Sequence, residues 1–122
     1  MFDHVAIGVS DYAASKAFYL QALAPLGVVA IAENALGLEM SNDDKTSLCI
    51  AQTSAKPIPL HLAFVANSRE QVQAFHSAAL AAGARDNGGP GIRPQYSARY
   101  YAAFVIGPDG HNIEAVFHEP AA

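Results

Sequence analysis

The stretch His4-Val5-Ala6-Ile7-Gly8-Val9 decides the fold, because a second stretch of the same kind, His61-Leu62-Ala63-Phe64-Val65-Ala66, begins 57 positions later. At the same shift, Ala17-Phe18-Tyr19 matches Ala74-Phe75-His76. Chance matches between alanine-rich segments are common, but one shift that aligns both the His-led stretches and the segments behind them indicates an internal duplication. We therefore expect two copies of one structural module.

Each copy has the signals of a strand followed by a helix. Asp11 can cap a helix that ends near Leu23, and Ser68 opens a capping box for a helix that ends near Gly83. Short strands are predicted behind the helices, at 28–31, 36–40 and 46–52 in the first copy and from about 84, at 100–106 and at 112–118 in the second. A loop rich in Gly and Pro is expected at 87–94. The predicted class is α+β, with the element order βαβββ twice.

Length and charge limit the possible functions. A chain of 122 residues with 52% hydrophobic residues predicts one domain over 1–122, with module one at about 1–56 and module two at about 57–122. The formal net charge of −4, with only seven Lys and Arg, leaves no basic stripe for a phosphate backbone or an anionic lipid surface. We therefore expect no nucleic-acid partner and no membrane partner.

The location is predicted from signals that the sequence lacks. Its start, Met1-Phe2-Asp3-His4, has no signal-peptide pattern, and no apolar run approaches the roughly 20 residues of a membrane span. The single cysteine, Cys49, cannot form an internal disulfide, which agrees with a reducing compartment. We expect a cytoplasmic protein.

Alternation along the strands separates a bulky face from a hollow one. Bulky residues share one face in four strands: Val5, Ile7 and Val9, then Leu48 and Ile50, then Leu62 and Phe64, then Ile113, Ala115 and Phe117. Opposite them stand His4, Ala6 and Gly8, then Cys49, then His61 and Ala63, then Asn112, Glu114 and Val116. The bulky face is expected to pack on the helices. The histidine face is expected to form the wall of a ligand site.

Several motifs together resemble the vicinal oxygen chelate superfamily, which includes glyoxalase I, extradiol dioxygenases, epimerases, fosfomycin-modifying enzymes and bleomycin-binding resistance proteins. They are the opening 3–9, the pair Phe18-Tyr19, the second opening 60–64 and the ending 104–114, and the resemblance covers nearly the whole chain. The resemblance implies a fold in which two βαβββ modules form a cup-shaped, partly open mixed sheet with the helices outside. It also implies a homodimer whose cup is completed either within one chain or by modules from two chains.

The resemblance also implies a set of metal ligands. His4 and His61 match the ligands of the first strand in each module, and Glu114 matches the carboxylate of the final strand. Two imidazoles and one carboxylate can hold Fe, Mn, Zn, Ni or Co while leaving positions open for a substrate. The alternative is that the histidines cap strand edges or bond carbonyl groups. A buried Glu114 would, however, need a cation or a donor.

Cys49 takes the place where glyoxalase-like members usually have Glu or Gln, and this departure argues against glyoxalase I itself. Cys49 is expected to be a small packed hydrophobe, with metal or substrate contact as the alternative. The other histidines, His76, His111 and His118, are expected to be structural or exposed.

The glycine-rich segment 87–96 is predicted to be a mobile flap over the cup. Arg93, Tyr96, Arg99 and Tyr101 would then contact a carboxylate or a ring of the substrate, and alternation assigns Tyr101 to the cup side, opposite Phe104. The alternative is a surface loop with incidental charges.

Two functions from different classes remain, beside the simplest alternative of a folded dimer with no small-molecule role. The first is a metal-dependent enzyme, a lyase, an isomerase or a dioxygenase, whose small substrate chelates the metal through adjacent oxygens. The second is a metal-free protein that binds a small molecule or an antibiotic in the same cup, as bleomycin resistance proteins do. No phosphate-binding glycine motif supports a nucleotide cofactor.

Overall fold

The structure is a computed structural model and describes residues 1–121. It contains two α-helices and nine β-strands. In chain order these are β1 (His4–Val9), α1 (Tyr12–Ala22), β2 (Val29–Asn34), β3 (Gly37–Ser41), β4 (Ser47–Gln52), β5 (His61–Val65), α2 (Arg69–Ala81), β6 (Arg85–Asp86), β7 (Gly91–Ile92), β8 (Tyr100–Ile106) and β9 (Asn112–His118). The predicted α+β class is confirmed.

The strands form two mixed sheets, one for each module. The first sheet has the order β1-β4-β3-β2, and the second has the order β5-β9-β8-β6, with β7 also paired to β8. In both sheets the strand that carries the histidine is at an edge and runs parallel to the last strand of its module. The duplication seen in the sequence is therefore repeated in the strand topology.

Side-chain caps start both helices where the sequence predicts them. The Asp11 carboxylate accepts a hydrogen bond from the Ala14 amide at 3.0 Å, and the Ser68 hydroxyl accepts one from the Gln71 amide at 3.1 Å. The Gln71 side chain reaches back to the amide of Asn67, one residue before the partner expected in a capping box. Each cap satisfies an amide that would otherwise lack a partner in the first turn.

The glycine-rich segment departs from the prediction in one respect. The sequence predicts a loop throughout 87–94, but β7 lies within this segment and pairs antiparallel with β8, where Ile92 is opposite Tyr101. This pairing occupies an otherwise free part of the β8 edge. The strand expected from about Ala84 is the two-residue β6, which begins at Arg85, and β7 is an additional short strand.

One hydrophobic core draws on both modules. Its fully buried members include Val9 and Ile50 from the first module and Val72, Phe75 and Ile113 from the second. These residues come from the predicted bulky faces and from the helices, and burying such side chains contributes roughly 25 cal/mol per Å² of apolar area. No helix within residues 1–121 is long and apolar enough to cross a membrane.

Candidate functional site

A buried carboxylate lies on the face of the second sheet that is turned away from α2, which we call the open face. Glu114 is in the middle of β9 and only 1% of its side chain is exposed. Its Oε1 atom is 2.7 Å from Nε2 of His61 on β5, and the hydroxyl of Tyr100 on β8 donates a hydrogen bond to Oε2. The two strands that flank β9 therefore each place one polar side chain against the Glu114 carboxylate.

His61 is the accessible member of this group. About half of its side chain, 52%, is exposed, and its ring centroid lies 6.0 Å from that of Phe104. The imidazole is thus held between an aromatic ring and the Glu114 carboxylate while it keeps access to solvent. A buried carboxylate that hydrogen-bonds an imidazole fixes the orientation of the ring.

Aromatic side chains extend the open face beyond Glu114. The Tyr100 ring lies 5.0 Å from the ring of Tyr96 and 5.2 Å from that of His118. Burial and the hydrogen bond to Glu114 raise the pKa of Tyr100 well above its ordinary value. The Tyr100 hydroxyl therefore stays protonated and remains a donor at physiological pH.

Arg93 and Tyr96, two residues of the predicted flap, lie beside the open face, next to Phe104 and Tyr100 respectively. The Arg93 guanidinium stands 5.2 Å above the Phe104 ring and donates hydrogen bonds to the carbonyl oxygens of Gly91 and Gly89, at 2.8 and 2.7 Å. These bonds hold the glycine-rich segment against Phe104. Tyr96 is exposed, so its ring can contact a ligand.

The predicted orientation of Tyr101 is wrong. Its hydroxyl accepts a hydrogen bond from Gln73 on α2 at 2.9 Å, and the Arg69 guanidinium lies 4.5 Å above its ring. Phe104 is paired directly with Glu114, and directly paired residues project from the same face. Alternation along β8 correctly assigns Tyr101 and Phe104 to opposite faces. Because both faces carry bulky residues, the sequence does not show which face α2 covers. Tyr100 and Phe104, not Tyr101, belong to the open face.

The first sheet carries His4 on the corresponding face. Its side chain is 58% exposed, and Nδ1 lies 2.8 Å from a carboxylate oxygen of Asp3. Opposite it on β4 is Ser47. His4 thus stands at an exposed sheet edge, with an exposed aspartate as its hydrogen-bond partner.

Cys49 is partly buried on the same face and lies between Ala6 on β1 and Glu39 on β3 in the strand register. These three residues help to line a cavity of about 250 Å³. The Glu39 carboxylate accepts a hydrogen bond from the Ser47 hydroxyl at 2.7 Å. The first sheet therefore does carry a carboxylate, one strand away from the position where the duplication has Cys49.

The structure brings together two of the three predicted metal ligands. His61 and Glu114 touch, whereas among residues 1–121 no three His, Cys, Asp or Glu side chains lie close enough to hold one ion. The donor chemistry fits a divalent transition metal, since a buried carboxylate and an accessible imidazole are both suitable ligands. His4, the third predicted ligand, does not lie close enough to this pair within residues 1–121 to complete the set.

Three residues near these faces escaped the sequence prediction: Tyr100, Phe104 and Glu39. A signal for the first two exists in the hairpin between β8 and β9, where the turn at 107–110 makes Ile106 pair with Asn112. Counting back from that pair places Phe104 opposite Glu114. Glu39 has no such signal, because the turn at 41–46 does not show which β3 residue faces Cys49.

Comparison with known proteins agrees with this description. The family model described as Glyoxalase/Bleomycin resistance protein/Dioxygenase superfamily matches residues 1–115. A glyoxalase/bleomycin resistance protein from Albidiferax ferrireducens T118 is 31% identical, with a TM-score of 0.84 over 98% of this chain and 99% of that one. Among curated proteins, none matches the chain.

More distant structures share the fold. A glyoxalase/bleomycin resistance protein/dioxygenase family enzyme from Burkholderia phytofirmans PsJN is 19% identical, with a TM-score of 0.75 over 96% of this chain and 98% of that one. Oxidase ChaP-H2 is 18% identical, with a TM-score of 0.73 over 100% of this chain and 95% of that one. The family model and the Albidiferax structure cover nearly the whole chain, and this chain therefore belongs to the glyoxalase/bleomycin resistance protein/dioxygenase superfamily.

Proposed function

We propose that this protein is a divalent-metal-dependent enzyme whose small substrate binds the metal through two adjacent oxygens. The observation that carries the proposal is the contact between the buried carboxylate of Glu114 and the half-exposed imidazole of His61. Nitrogen and oxygen donors of this kind suit Fe, Mn, Zn, Ni and Co. Membership of the superfamily supports the same class of chemistry, a lyase, an isomerase or a dioxygenase.

The third ligand in this proposal is His4 of a second copy of the chain. Both histidine-bearing strands, β1 and β5, are sheet edges, and within residues 1–121 each has one side without a strand partner. A two-fold symmetric homodimer that places β1 of one copy beside β5 of the other would create two identical sites. Each site would then combine one His4 with one pair of His61 and Glu114.

The roles of the residues follow from their contacts. A bound divalent ion would supply Lewis acidity at the substrate oxygens. Tyr100 donates to Oε2 of Glu114 and so fixes which carboxylate oxygen faces His61. Phe104, beside His61, and the exposed ring of Tyr96 offer apolar surface that limits water around the substrate. Excluding water strengthens the electrostatic interactions at such a site.

A second function has its own supporting observation. Both oxygens of Glu114 already have partners, His61 and Tyr100, so the buried carboxylate is satisfied without a cation. A metal-free protein that binds a small molecule or an antibiotic on the aromatic open face fits this arrangement. It predicts that a chelator does not change ligand binding and that His4→Ala does not change it either.

Calorimetric titration of Co²⁺, Mn²⁺ and Zn²⁺ into chelator-treated protein tests the proposal. We expect saturable binding by the wild type and none by His61→Ala or Glu114→Ala. His76→Ala is the matched control, because His76 also pairs with a carboxylate, Asp86 at 3.0 Å, but not on the open face. If all four proteins bind the metal ions equally, His61 and Glu114 do not form a metal site. The metal-free function would then be the remaining proposal.

Mixing two variants tests the origin of His4. His4→Ala and Glu114→Ala homodimers would each lack a complete site. If the site spans two copies, a mixed dimer regains one intact site, so unfolding and refolding the variants together should restore part of the metal binding. If each site lies within one chain, mixing restores none.

A further inference from the structure

Arg93, on the glycine-rich segment, carries a positive charge that no acidic group compensates. Among the residues that the structure describes, its guanidinium donates to the carbonyl oxygens of Gly91 and Gly89, at 2.8 and 2.7 Å, and no ion pair includes it. Arg69, in contrast, pairs with the Glu119 carboxylate. Neutral carbonyl groups fix the position of a guanidinium, but they leave its charge unpaired. Arg93 is therefore a fixed cation in a chain whose formal net charge is −4.

Two glycines provide the space that this guanidinium occupies. A Cβ atom at Gly88 would lie 3.0 Å from Nη2 of Arg93 and 3.3 Å from Cδ1 of Phe104, and a Cβ atom at Gly91 would lie 3.3 Å from Nη1. Such contacts are tighter than nine in ten real Cβ contacts. Gly88 also has a φ of +139°, which disfavours any residue with a side chain. The glycines of this segment therefore let the guanidinium lie between the loop backbone and the Phe104 ring.

The guanidinium keeps donors for a ligand. An arginine side chain has five N–H donors, and the bonds to the two carbonyl groups use one donor on Nη1 and one on Nη2. The Nε atom has no hydrogen-bond partner among the described residues and is not buried, and the Arg93 side chain as a whole is partly exposed. Adjacent N–H donors of one guanidinium match the two oxygens of a carboxylate. Arg93 is therefore held in position and still able to bind an anion.

This cation lies close to the candidate metal ligands. The Phe104 ring lies 5.2 Å from the Arg93 guanidinium and 6.0 Å from the His61 ring, so it contacts both groups. Burial is the main cause that raises the pKa of Tyr100, and the Arg93 charge acts on that pKa in the opposite direction. The guanidinium is thus near the hydroxyl that binds Glu114. A molecule about as long as one aromatic ring can reach both Arg93 and a metal ion at His61.

We propose that the substrate of the open face is an aromatic carboxylate, and that Arg93 selects it by binding the carboxylate group. The two adjacent oxygens lie at the other end of the ring, towards His61 and Glu114, and this part of the proposal rests on the proposed function. The substrate ring contacts Phe104 and the exposed ring of Tyr96. Hydrogen bonds between two charged groups are stronger than those between neutral groups, which favours an anion over a neutral substrate of the same shape.

The test probe is 3,4-dihydroxybenzoate, and its methyl ester is the neutral control with the same ring and the same adjacent oxygens. Protein labelled with ¹⁵N and loaded with Zn²⁺ is titrated with each probe and followed by NMR. The Nε–H signals of the four arginines are observed directly, and the Arg93→Gln spectrum identifies the signal of Arg93. We expect the carboxylate to shift the Arg93 signal saturably and to bind about tenfold or more tightly than the ester.

Three variants separate selection by Arg93 from an effect on folding. Arg93→Gln should abolish the preference for the carboxylate and leave the affinity for the ester unchanged. Arg93→Lys keeps the charge but loses the planar arrangement of donors, so it should retain only part of the preference. Lys45→Gln removes a positive charge from the exposed turn before β4 and should behave as the wild type does. The proposal is overturned if the carboxylate gives no saturable shift, or if Arg93→Gln keeps the wild-type preference.

A second pair of probes distinguishes this proposal from the metal site. Benzoate and methyl benzoate lack the adjacent oxygens and are titrated into chelator-treated protein. A preference for benzoate that Arg93→Gln abolishes would support the anion site even if the wild type binds no metal ion. Metal binding that depends on His61 and Glu114, together with equal affinity for the acid and the ester in both titrations, would overturn the role of Arg93 and leave the proposed function intact.

Discussion

Removal of one hydroxyl, in Tyr100→Phe, tests how the open face is held together. The substitution keeps the ring beside Tyr96 and His118 and deletes only the donor to Oε2 of Glu114. Glu114 is 1% exposed, so water cannot easily replace the lost donor. A hydrogen bond to a charged group contributes about 1.5–3 kcal/mol, and we expect the free energy of unfolding to fall by about 2 kcal/mol.

The assay is urea unfolding followed by circular dichroism, with thermal unfolding beside it. For a domain of this length, about 2 kcal/mol corresponds to a decrease in Tm of roughly 6–10 °C. The control is Tyr96→Phe, which removes the hydroxyl of an exposed side chain and should change stability by less than about 0.5 kcal/mol. In the background of Glu114→Gln, the cost of Tyr100→Phe should fall, because the acceptor has lost its charge.

The reasoning fails if Tyr100→Phe and Tyr96→Phe are equally stable. It also fails if the cost of Tyr100→Phe is the same with and without the Glu114 charge, since the hydroxyl would then act through something other than this carboxylate. Either result would mean that Tyr100 does not hold Glu114 in the folded protein.

Three further predictions concern single residues. Gly37→Ala should destabilise the fold by more than about 2 kcal/mol, because φ is +144° and the new Cβ would lie 2.1 Å from the Ile50 carbonyl oxygen, whereas Gly89→Ala meets no atom within 4 Å and should cost under about 0.5 kcal/mol in urea unfolding. Ser68→Ala removes the cap of α2 and should cost about 1 kcal/mol by the same measurement. The amides of Thr46 and Lys45 lower the pKa of Asp43 to about 2, below its unfolded value of about 3.9, so its stabilising effect is present above pH 4 and lost as pH falls towards 2. The difference in Tm between wild type and Asp43→Asn should therefore shrink over that range in thermal scans, and a constant difference would contradict the assignment.

Local signals in the sequence predicted much of the fold. Asp11 and Ser68 cap the two helices as expected, and β8 and β9 have the predicted bounds, 100–106 and 112–118. These features depend on neighbouring residues, on turn chemistry and on alternation, all of which can be read from short segments. The pairing of His61 with Glu114 on one face also follows from alternation in two parallel strands.

Features that depend on distant parts of the chain could not be predicted in the same way. Tyr101 faces α2 because that helix covers one face of β8, and no pattern within β8 identifies the face. Glu39 stands opposite Cys49 only through the register of β3 and β4. His111 is buried because the linker before β5 folds over it and bonds to it, although a position in a turn suggests exposure. Each of these outcomes is decided by packing between segments.

The metal content of the protein purified without a chelator tests the central claim most directly. Elemental analysis of wild type, Glu114→Ala and the control His76→Ala gives the result in one experiment. The proposed function predicts close to one transition-metal ion per chain in the wild type and the control, and almost none in Glu114→Ala. The same metal content in all three proteins would contradict it.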